Sequence, residues 1–414
     1  MRKFLYETDI LLPDNVDMTK WSVIACDQYT SNPAYWENLN REIGDAPSTL
    51  RMILPEIYLN ESESRIGKIN ATMAEYQKHT LSVLKDAMIY IERTLPSGKC
   101  RRGIVGAVDL CDYDFSKGSV SAIRATEGTV MERIPPRVAI RRNAPLEFPH
   151  IMLFVNDEKK QMIESFSAPA ASGKMEKLYD FKLCAGGGSI RGFLISKADR
   201  EKIHSYLDCL AVGENPLVFA VGDGNHSLAT AKTCFEELRR EIGDEAAMRH
   251  PARYALCEVV NIHDDSIVFE PIYRVAFNVN ASELFSDFAA LSGATVSDLP
   301  SKTGTEFEVL FDGSSRWIRF ENPNGKLPVL ILQEFLDEYQ KSHPQISVDY
   351  IHGENSVREL TTKENTIGFL FSGIDKSVLF DSIVKNGSLP RKAFSMGSAD
   401  EKRFYLEGRA IREA

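Results

Sequence analysis

The side-chain types that bind anions and metal ions come together in one short segment, which contains Asp223, Gly224, Asn225, His226 and Ser227. A carboxylate can coordinate Mg²⁺, and amide, imidazole and hydroxyl groups can hydrogen-bond the oxygens of a phosphate. The segment therefore predicts a site for a phosphate-bearing ligand, and Asp223 is the residue that would hold a metal ion.

The flanking sequence predicts that this segment is a turn between a strand and a helix. Residues 217–221 form an apolar, β-branched run that ends at Gly222 and Gly224, which is typical of a buried strand. From Ser227 onward, apolar residues recur at steps of three and four, as on one face of a helix: Leu228, Ala231, Phe235 and Leu238. The first N–H groups of a helix have no intrahelical acceptor and lie at the positive end of the macrodipole, so a phosphate fits there.

A purely structural interpretation of the turn stays open. Asp, Asn and Ser are common N-cap residues and Gly permits a tight turn, so the same residues suit an ordinary helix start. That interpretation accounts for Asn225 or Ser227 and leaves His226 unexplained. The order strand, glycine turn and helix is the one that open α/β sheets use for ligands, and it favours binding.

Further candidates for the site lie elsewhere in the chain. Asp27 follows the apolar run 21–25, at a strand end where α/β proteins often place catalytic groups, although it can equally cap the next turn. The arginine-rich segment 124–142 contains Arg124, Glu127 and Arg141, and Arg391 lies in a second basic stretch near the C-terminus. For these arginines, a solvated salt-bridge face and contact with a phosphate both remain open.

The composition argues against several classes of protein. The 414 residues carry a net charge of −10 and a pI near 5.5, which disfavours a nucleic-acid partner because such binding depends on cationic contacts to phosphates. No apolar run has the length of a membrane span, and Glu7 and Asp9 interrupt the N-terminal run that a signal peptide needs. We therefore expect a cytoplasmic protein with no membrane partner.

The seven cysteines include no C-x-x-C pair and indicate neither a disulfide framework nor a zinc site.

Hydrophobic periodicity predicts an α/β fold with α+β elements, in which helices cover the faces of a mixed sheet. We expect an N-terminal α/β region at 1–250, which carries the turn, and a C-terminal α/β region at 251–414, packed with the first into one compact unit. Long helices are predicted at about 66–94 and at 399–411. In the C-terminal region, alternating strands and helices predict mainly parallel pairing.

The chain contains the motifs D-G-N-H-S, R-A-T-E-G-T-V, N-A-P-L-E-F-P-H-I, V-D-Y-I-H-G-E and L-P-R-K-A-F-S-M-G. With these motifs it resembles, over nearly its full length, a widespread prokaryotic family catalogued as a domain of unknown function. The strand, the G-D-G-N-H-S turn and the helix also resemble the phosphate-binding box of the ParB and sulfiredoxin superfamily, which includes a free-serine kinase. This second resemblance implies a ParB/sulfiredoxin-like turn in which Gly224, Asn225, His226 and Ser227 contact nucleotide phosphates.

The chain departs from that box in ways that affect its chemistry. The residue after the histidine is commonly Arg in the superfamily, and here it is Ser227, so the missing phosphate cation must be Arg124, Arg141 or Arg391. Sulfiredoxins have Cys before the histidine, and this chain has Asn225, so a thiol-repair reaction has no nucleophile. Nothing in the sequence has the charge of the ParB helix-turn-helix.

The sequence hypothesis is a nucleotide-dependent phosphotransferase, a small-molecule kinase that acts on a hydroxyl metabolite such as an amino acid. ATP or ADP phosphates would lie on the turn, with His226 as donor or transition-state stabiliser and Mg²⁺ on Asp223. Asp27 or Glu127 would be the general base.

The alternative is a non-catalytic nucleotide- or metabolite-sensing protein. A hydrolase that uses Asp27 with His226 or His263 lacks a nucleophile motif such as G-x-S-x-G. The oligomeric state stays open.

Overall fold

The structure is a computed structural model that describes residues 2–292, 294–301, 305–320, 326–390 and 392–412. In chain order the strands are β1 (Thr8–Pro13), β2 (Val23–Ile24), β3 (Leu81–Ala87), β4 (Ile89–Thr94), β5 (Cys100–Asp109), β6 (Tyr113–Asp114), β7 (Ile123–Ala125), β8 (Leu146–Glu147), β9 (Met152–Val155), β10 (Lys177–Lys182), β11 (Ser189–Leu194), β12 (Phe219–Asp223), β13 (Tyr254–Asn261), β14 (Phe269–Phe277), β15 (Thr295–Ser297), β16 (Thr305–Phe311), β17 (Ser314–Phe320), β18 (Ser347–His352), β19 (Thr366–Leu370), β20 (Phe394–Met396), β21 (Phe404–Tyr405) and β22 (Arg409–Ala410). The α-helices are α1 (Met18–Trp21), α2 (Pro33–Ile43), α3 (Ser62–His79), α4 (Ile134–Arg142), α5 (Ser167–Ala171), α6 (Lys197–Leu210), α7 (Asn225–Ile242), α8 (Asp244–Ala247), α9 (Ala281–Ser292), α10 (Pro328–Ser342), α11 (Glu354–Leu360) and α12 (Leu379–Asn386).

The chain forms two compact units. The first unit is Met1–Ile267 with Gly397–Ala414, and the second is Val268–Met396. Strand β13, which the sequence analysis places in the C-terminal region, belongs to the first unit because it pairs with β5 and β9. The last segment of the chain also returns to the first unit, where β21 pairs with β2 and β22 pairs with β8.

The first unit is built on a nine-stranded sheet in the order β10-β11-β4-β5-β13-β9-β12-β7-β6. Pairing is parallel between β13 and β9, between β12 and β7, and between β7 and β6, and it is antiparallel elsewhere in this sheet. The predicted α/β class with a mixed sheet is confirmed.

Both faces of this sheet are covered, because successive side chains of a strand point to opposite faces. On β4, Tyr90 contributes to one buried cluster, while Ile89 and Ile91 contribute to a second. The first cluster includes Phe235 of α7, and the second includes Trp36 of α2. The apolar positions of β4 therefore hold one helical layer on each face.

The strand, turn and helix around Gly224 are present, with small shifts in their bounds. The predicted strand 217–221 is observed as β12, and the helix predicted from Ser227 begins at Asn225 as α7. Leu228, Ala231 and Phe235 are buried, as the three- and four-residue spacing predicts.

Two predicted helices are wrong. The predicted helix 66–94 is helical only in α3, and its second half forms β3 and β4, which pair with β1 and β5. The predicted helix 399–411 is a single 3₁₀ turn, Ala399–Glu401, followed by β21 and β22. In both segments, pairing with a strand distant in sequence overrides the local periodicity.

The second unit has a seven-stranded sheet whose main path is β15-β17-β16-β19-β14-β18, with β20 paired to β14. All of these described pairs are antiparallel, so the predicted parallel pairing is wrong. Among the described residues of the whole chain, no helix combines the length and the apolar character that a bilayer crossing requires.

Candidate functional site

The candidate site lies at one edge of the first-unit sheet, where the ends of three neighbouring strands, β9, β12 and β7, come together. Strands β7 and β12 are parallel and end at this edge, while β9 is antiparallel to β12 and begins there. Thr126 therefore follows β7 at the same edge at which β12 ends in Asp223 and at which His150 precedes β9. This edge collects polar groups from parts of the chain that are far apart in sequence.

Gly224 makes the turn between β12 and α7 possible. Its φ of +78° lies in the left-handed region, and an added Cβ would lie 3.0 Å from Cα of Ile151. A side chain there would be strained by the backbone and would collide with the start of β9. Glycine thus brings the start of α7 close to the chain that carries His150.

The amides of the first turn of α7 have no hydrogen-bond acceptor among the described residues. Oδ1 of Asp223 accepts a hydrogen bond from the N–H of Gly224 at 2.9 Å, and within the described chain no side chain caps the helix. The N–H groups of Asn225, His226 and Ser227 have no intrahelical acceptor, because the first helical bond runs from Leu228 N to Gly224 O. The structural interpretation in which a side chain caps this helix is therefore not what the described residues form.

Two side-chain oxygens beside these amides are buried without a hydrogen-bond donor among the described residues: Oδ2 of Asp223 and Oδ1 of Asn225. Nδ2 of Asn225 lies 3.5 Å from Oγ1 of Thr126, so Oδ1 is the atom of this amide that has no hydrogen bond with the described residues. Buried acceptors without a hydrogen bond are costly, although Oδ2 of Asp223 also forms an ion pair with Lys402. Carboxylate and amide oxygens are ligands that Mg²⁺ takes together with water and phosphate. The residues present at the turn fit a divalent cation.

Lys402 supplies a cation at this edge. Its Nζ lies 3.5 Å from Oδ2 of Asp223, and the side chains of both residues are 13% exposed. The charge of Lys402 also contributes to lowering the pKa of Asp27.

The neighbouring residue, Arg403, fixes the position of Lys402. Its Nε and Nη2 each lie 2.8 Å from a carboxylate oxygen, of Glu258 and Glu407 respectively, and Nη1 donates to the carbonyl of Pro149. All three charged side chains are almost fully buried. This buried network joins the C-terminal segment to the chain that precedes His150.

The imidazole of His226 is neutral, and one of its two ring nitrogens accepts a hydrogen bond. Its Nε2 accepts a hydrogen bond from the N–H of Val130 at 3.3 Å, so the ring proton is on Nδ1. Burial, assisted by the charges of Arg137 and Arg133, lowers the pKa of His226 to about 4. At neutral pH the ring can therefore donate one hydrogen bond but cannot supply positive charge to a phosphate.

His150 lies at the centre of the polar groups. Its Nδ1 is 2.7 Å from the hydroxyl of Tyr405, and its Nε2 is 3.4 Å from Oγ of Ser227 and 3.9 Å from Oδ2 of Asp27. The Tyr405 hydroxyl also accepts the N–H of Cys26 at 3.1 Å, and burial raises its pKa, so it stays a phenol.

Asp27 is a half-buried carboxylate that follows β2. Burial acts to raise its pKa, but the charge of His150, the hydrogen bond from Gln28 and the charge of Lys402 outweigh this effect and lower it. The arrangement differs from a serine hydrolase triad, in which carboxylate and serine lie on opposite ring nitrogens of the histidine. Here both face Nε2 of His150, so these three residues do not form a serine hydrolase triad.

The other residues that the sequence suggests for the site are three arginines and Glu127, and the described arginines make other contacts. Both Nε and Nη2 of Arg124 donate to carbonyls, of Ser121 and Asn215, which precede β7 and β12 and so lie at the opposite ends of these strands. Arg141 lies 2.5 Å from Glu147 in an ion pair. Arg391 lies outside the described residues. Glu127 lies two residues beyond Ala125, the end of β7, at the site edge.

Sequence reasoning missed Lys402, His150 and Tyr405. A signal existed for His150, since it stands in the N-A-P-L-E-F-P-H-I motif immediately before an apolar strand. The sequence carries no such signal for Lys402 and Tyr405, because the pattern at 399–411 predicts a helix.

The fold and site define an α/β protein with an uncapped helix N-terminus beside a cluster of acid, base and cationic side chains. The family described as protein of unknown function (DUF1015) matches residues 11–365, so this chain belongs to that family. No curated protein matches the sequence.

Several solved structures are similar at low identity. A free serine kinase in complex with AMP is 11% identical with a TM-score of 0.41, over 74% of this chain and 91% of that one. A conserved hypothetical protein from Pyrococcus furiosus is 10% identical with a TM-score of 0.39, over 74% and 95%. SbnI with C-terminal truncation from Staphylococcus aureus is 8% identical with a TM-score of 0.40, over 74% and 87%. At these TM-scores the likenesses are too distant to support conclusions about this chain.

Proposed function

We propose that this protein is a nucleotide-dependent phosphotransferase that transfers a phosphoryl group to the hydroxyl of a small molecule. The observation that supports it is the proximity of two kinds of group at one sheet edge. The free amides of α7 and Lys402 suit an anion, and the carboxylate of Asp27 beside His150 suits a proton acceptor. Phosphoryl transfer requires mainly positioning and charge neutralisation, which these groups offer.

The phosphates would bind at the first turn of α7. The amides of Asn225, His226 and Ser227 donate there, Nδ1–H of His226 adds a neutral donor, and Lys402 adds positive charge. Local cations are needed because the chain as a whole carries a net charge of −10. In this role Lys402 takes the place that the sequence analysis gave to Arg124, Arg141 or Arg391.

A divalent cation would be held by Oδ2 of Asp223 and Oδ1 of Asn225, the two buried oxygens of the turn that accept no hydrogen bond from the described residues. Bound Mg²⁺ would neutralise charge on the phosphates, which is its usual part in this reaction class. Lys402 would then shift its contact from Asp223 towards the phosphate oxygens.

The acceptor hydroxyl would be oriented by Nε2 of His150 and would pass its proton to Asp27. In the transfer, the acceptor oxygen forms a bond to the γ-phosphorus of ATP, the bond from that phosphorus to the β-phosphate oxygen breaks, and ADP leaves with the electron pair. Asp27 is favoured over Glu127 as base because the contact with His150 places it beside the ring that would hold the substrate.

One observation favours the alternative of a nucleotide-sensing protein without turnover. The pKa of Asp27 is lowered, which makes this carboxylate a weaker base than a group tuned near neutral pH. A binding protein needs only the α7 amides and Lys402.

The test is incubation of the protein with ATP and a panel of alcohols and amino acids, with detection of ADP and of the phosphate ester. We expect Asp27→Asn to lower kcat by roughly 10²- to 10⁴-fold while the Kd for ADP changes less than about threefold. The control is Asp14→Asn, an exposed carboxylate before α1, which should match the wild type. Nucleotide binding without any product would support the sensor, and absence of nucleotide binding would refute both.

A further inference from the structure

A cavity of about 150 Å³ lies next to the candidate site and shares His150, Ser227 and Tyr405 with it. We propose that this cavity receives the acceptor, and that the acceptor is an uncharged alcohol of about six non-hydrogen atoms, by comparison with benzene in a cavity of this size. The inference rests on the proposed phosphotransferase function and specifies its second substrate.

The size of the cavity limits its occupant. An apolar cavity of about 150 Å³ holds a molecule of the size of benzene, whereas sites for drug-sized ligands measure about 300 to 1,000 Å³. The cavity is partly open to solvent, and the volume inside it fits the body of a small reactant.

The walls of the cavity are largely apolar, so they favour a ligand that is mostly hydrocarbon. Seven of the lining side chains are at least nine-tenths buried and belong to one core cluster: Met52, Leu54, Met73, Ala144, Leu146, Phe148 and Tyr405. Burial of apolar surface against such walls contributes about 25 cal/mol per Å², so a hydrocarbon body binds favourably.

The charged residues of the wall are matched to one another. Arg137 is paired with Glu56, and Arg141 with Glu147. Glu147 receives further hydrogen bonds from Arg409 at 2.9 Å and from the N–H of Leu256 at 2.8 Å. A ligand ammonium or carboxylate would find no unmatched charge on these four side chains, and burial of an unpaired charge is costly. A zwitterionic amino acid, the acceptor that the sequence suggested, does not fit this wall.

The polar end of the cavity determines where the hydroxyl lies. Nε2 of His150 and Oγ of Ser227, 3.4 Å apart, face the site, and Asp27 is 3.9 Å from the same nitrogen. A hydroxyl at this end can hydrogen-bond His150 while its hydrocarbon body contacts the apolar wall. The oxygen is then on the side of the α7 turn, where it can attack the γ-phosphorus and transfer its proton to Asp27.

The first experiment measures binding of 3-methyl-1-butanol, an alcohol with six non-hydrogen atoms, by ligand-observed NMR with and without ATP. The variant is Leu59→Phe, which fills the cavity with a larger side chain. The matched control is Ile57→Phe, since Ile57 lies in the same 3₁₀ helix, is half-buried against the same core and does not line the cavity. We expect Leu59→Phe to raise the Kd for the alcohol about tenfold or more, equal to the loss of about 1.4 kcal/mol, and Ile57→Phe to leave it unchanged.

A second variant, Ile140→Phe on α4, fills the same cavity and keeps the test valid if Leu59→Phe unfolds. The second experiment compares phosphate-ester formation from the alcohol and from serine in the presence of ATP. Alcohol binding that both filling variants weaken supports the cavity assignment, even where ATP does not bind and the proposed function fails. Turnover of serine with no binding of the alcohol overturns the assignment while the phosphotransferase function stands. Binding of the alcohol that the filling variants leave unchanged also overturns it.

Discussion

Nζ of Lys402 lies 3.5 Å from Oδ2 of Asp223, so the C-terminal segment of the chain supplies a cation to the turn between β12 and α7. This contact joins a residue near the end of the sequence to the segment that carries the free helix amides. It gives the site a positive charge that the turn itself lacks, since His226 is neutral at physiological pH.

Removal of the Lys402 charge should weaken nucleotide binding. A hydrogen bond to a charged group contributes about 1.5–3 kcal/mol, so Lys402→Met is expected to raise the Kd for ADP by roughly 10- to 100-fold. Isothermal titration calorimetry measures this. The control is Lys174→Met, an exposed lysine on the loop before β10, which should bind ADP as the wild type does. Equal affinity of the Lys402 variant and the wild type would remove Lys402 from the site.

Substitution of Gly224 should affect both stability and ligand binding. Gly224→Ala combines a left-handed backbone, which costs about 1–2 kcal/mol with a side chain, and a contact of 3.0 Å with Cα of Ile151. The matched control is Gly243→Ala at the other end of α7, where φ is +83° and nothing lies within 4 Å of the added Cβ. Urea unfolding and ADP titration should show the larger loss of stability, and the only loss of affinity, in Gly224→Ala. Equal effects of the two substitutions would contradict the close approach to β9.

The pKa of His226 predicts a pH dependence of stability. Burial first, and then Arg137 and Arg133, lower this pKa from 6.5 to about 4 in the folded protein. Between these pH values the unfolded chain binds more protons than the folded one, so stability falls as the pH is lowered through this window. The ring is partly exposed, so we expect a loss of about 1–2 kcal/mol instead of the full linkage value of about 3 kcal/mol.

The measurement is urea unfolding of the wild type and His226→Gln at several pH values from 7 down to 4, across the window that linkage defines. Glutamine retains an acceptor for the N–H of Val130 and does not titrate. The wild type should lose more stability than the variant as the pH falls. Parallel curves would show that His226 has an ordinary pKa.

Substitution of Arg403 should strongly reduce the stability of the folded protein. Arg403→Met leaves Glu258 and Glu407 without this buried partner, and breaking a buried ion pair by removal of one member costs about 3–5 kcal/mol. The control is Arg412→Met, an exposed arginine of the same C-terminal segment, which should cost less than about 1 kcal/mol. Thermal unfolding compares the two. If Arg403→Met changes the melting temperature only slightly, the Arg403 network does not hold the C-terminal segment to the first unit.

The sequence predicted the parts of the site that depend on local order. A strand, two glycines and a helix start are adjacent in the chain, so their residue types determine the turn at Gly224 and the free amides that follow it. The placement of Asp27 after a short strand followed from the same reasoning.

The rest of the site depends on contacts between distant segments. His150 and Tyr405 are 255 residues apart in sequence, and their contact forms where Arg403, two residues before Tyr405, donates to the carbonyl of Pro149. Local periodicity also failed at 81–94, where apolar residues at helical spacing form β3 and β4, because pairing with β1 and β5 decides the structure. Arg124 was a plausible phosphate cation by type, and only the structure reveals that its guanidinium donates to carbonyls at the other end of the sheet.

The central claim is that the first amides of α7 bind the phosphates of a nucleotide. The most direct measurement is the change in ¹H–¹⁵N chemical shift of the backbone amides of Asn225, His226 and Ser227 when ADP is added, with adenosine as the phosphate-free comparison. The account predicts that ADP shifts these three amides in a saturable manner and that adenosine does not. Binding of ADP with these amides unmoved, or no binding of ADP at all, would contradict it.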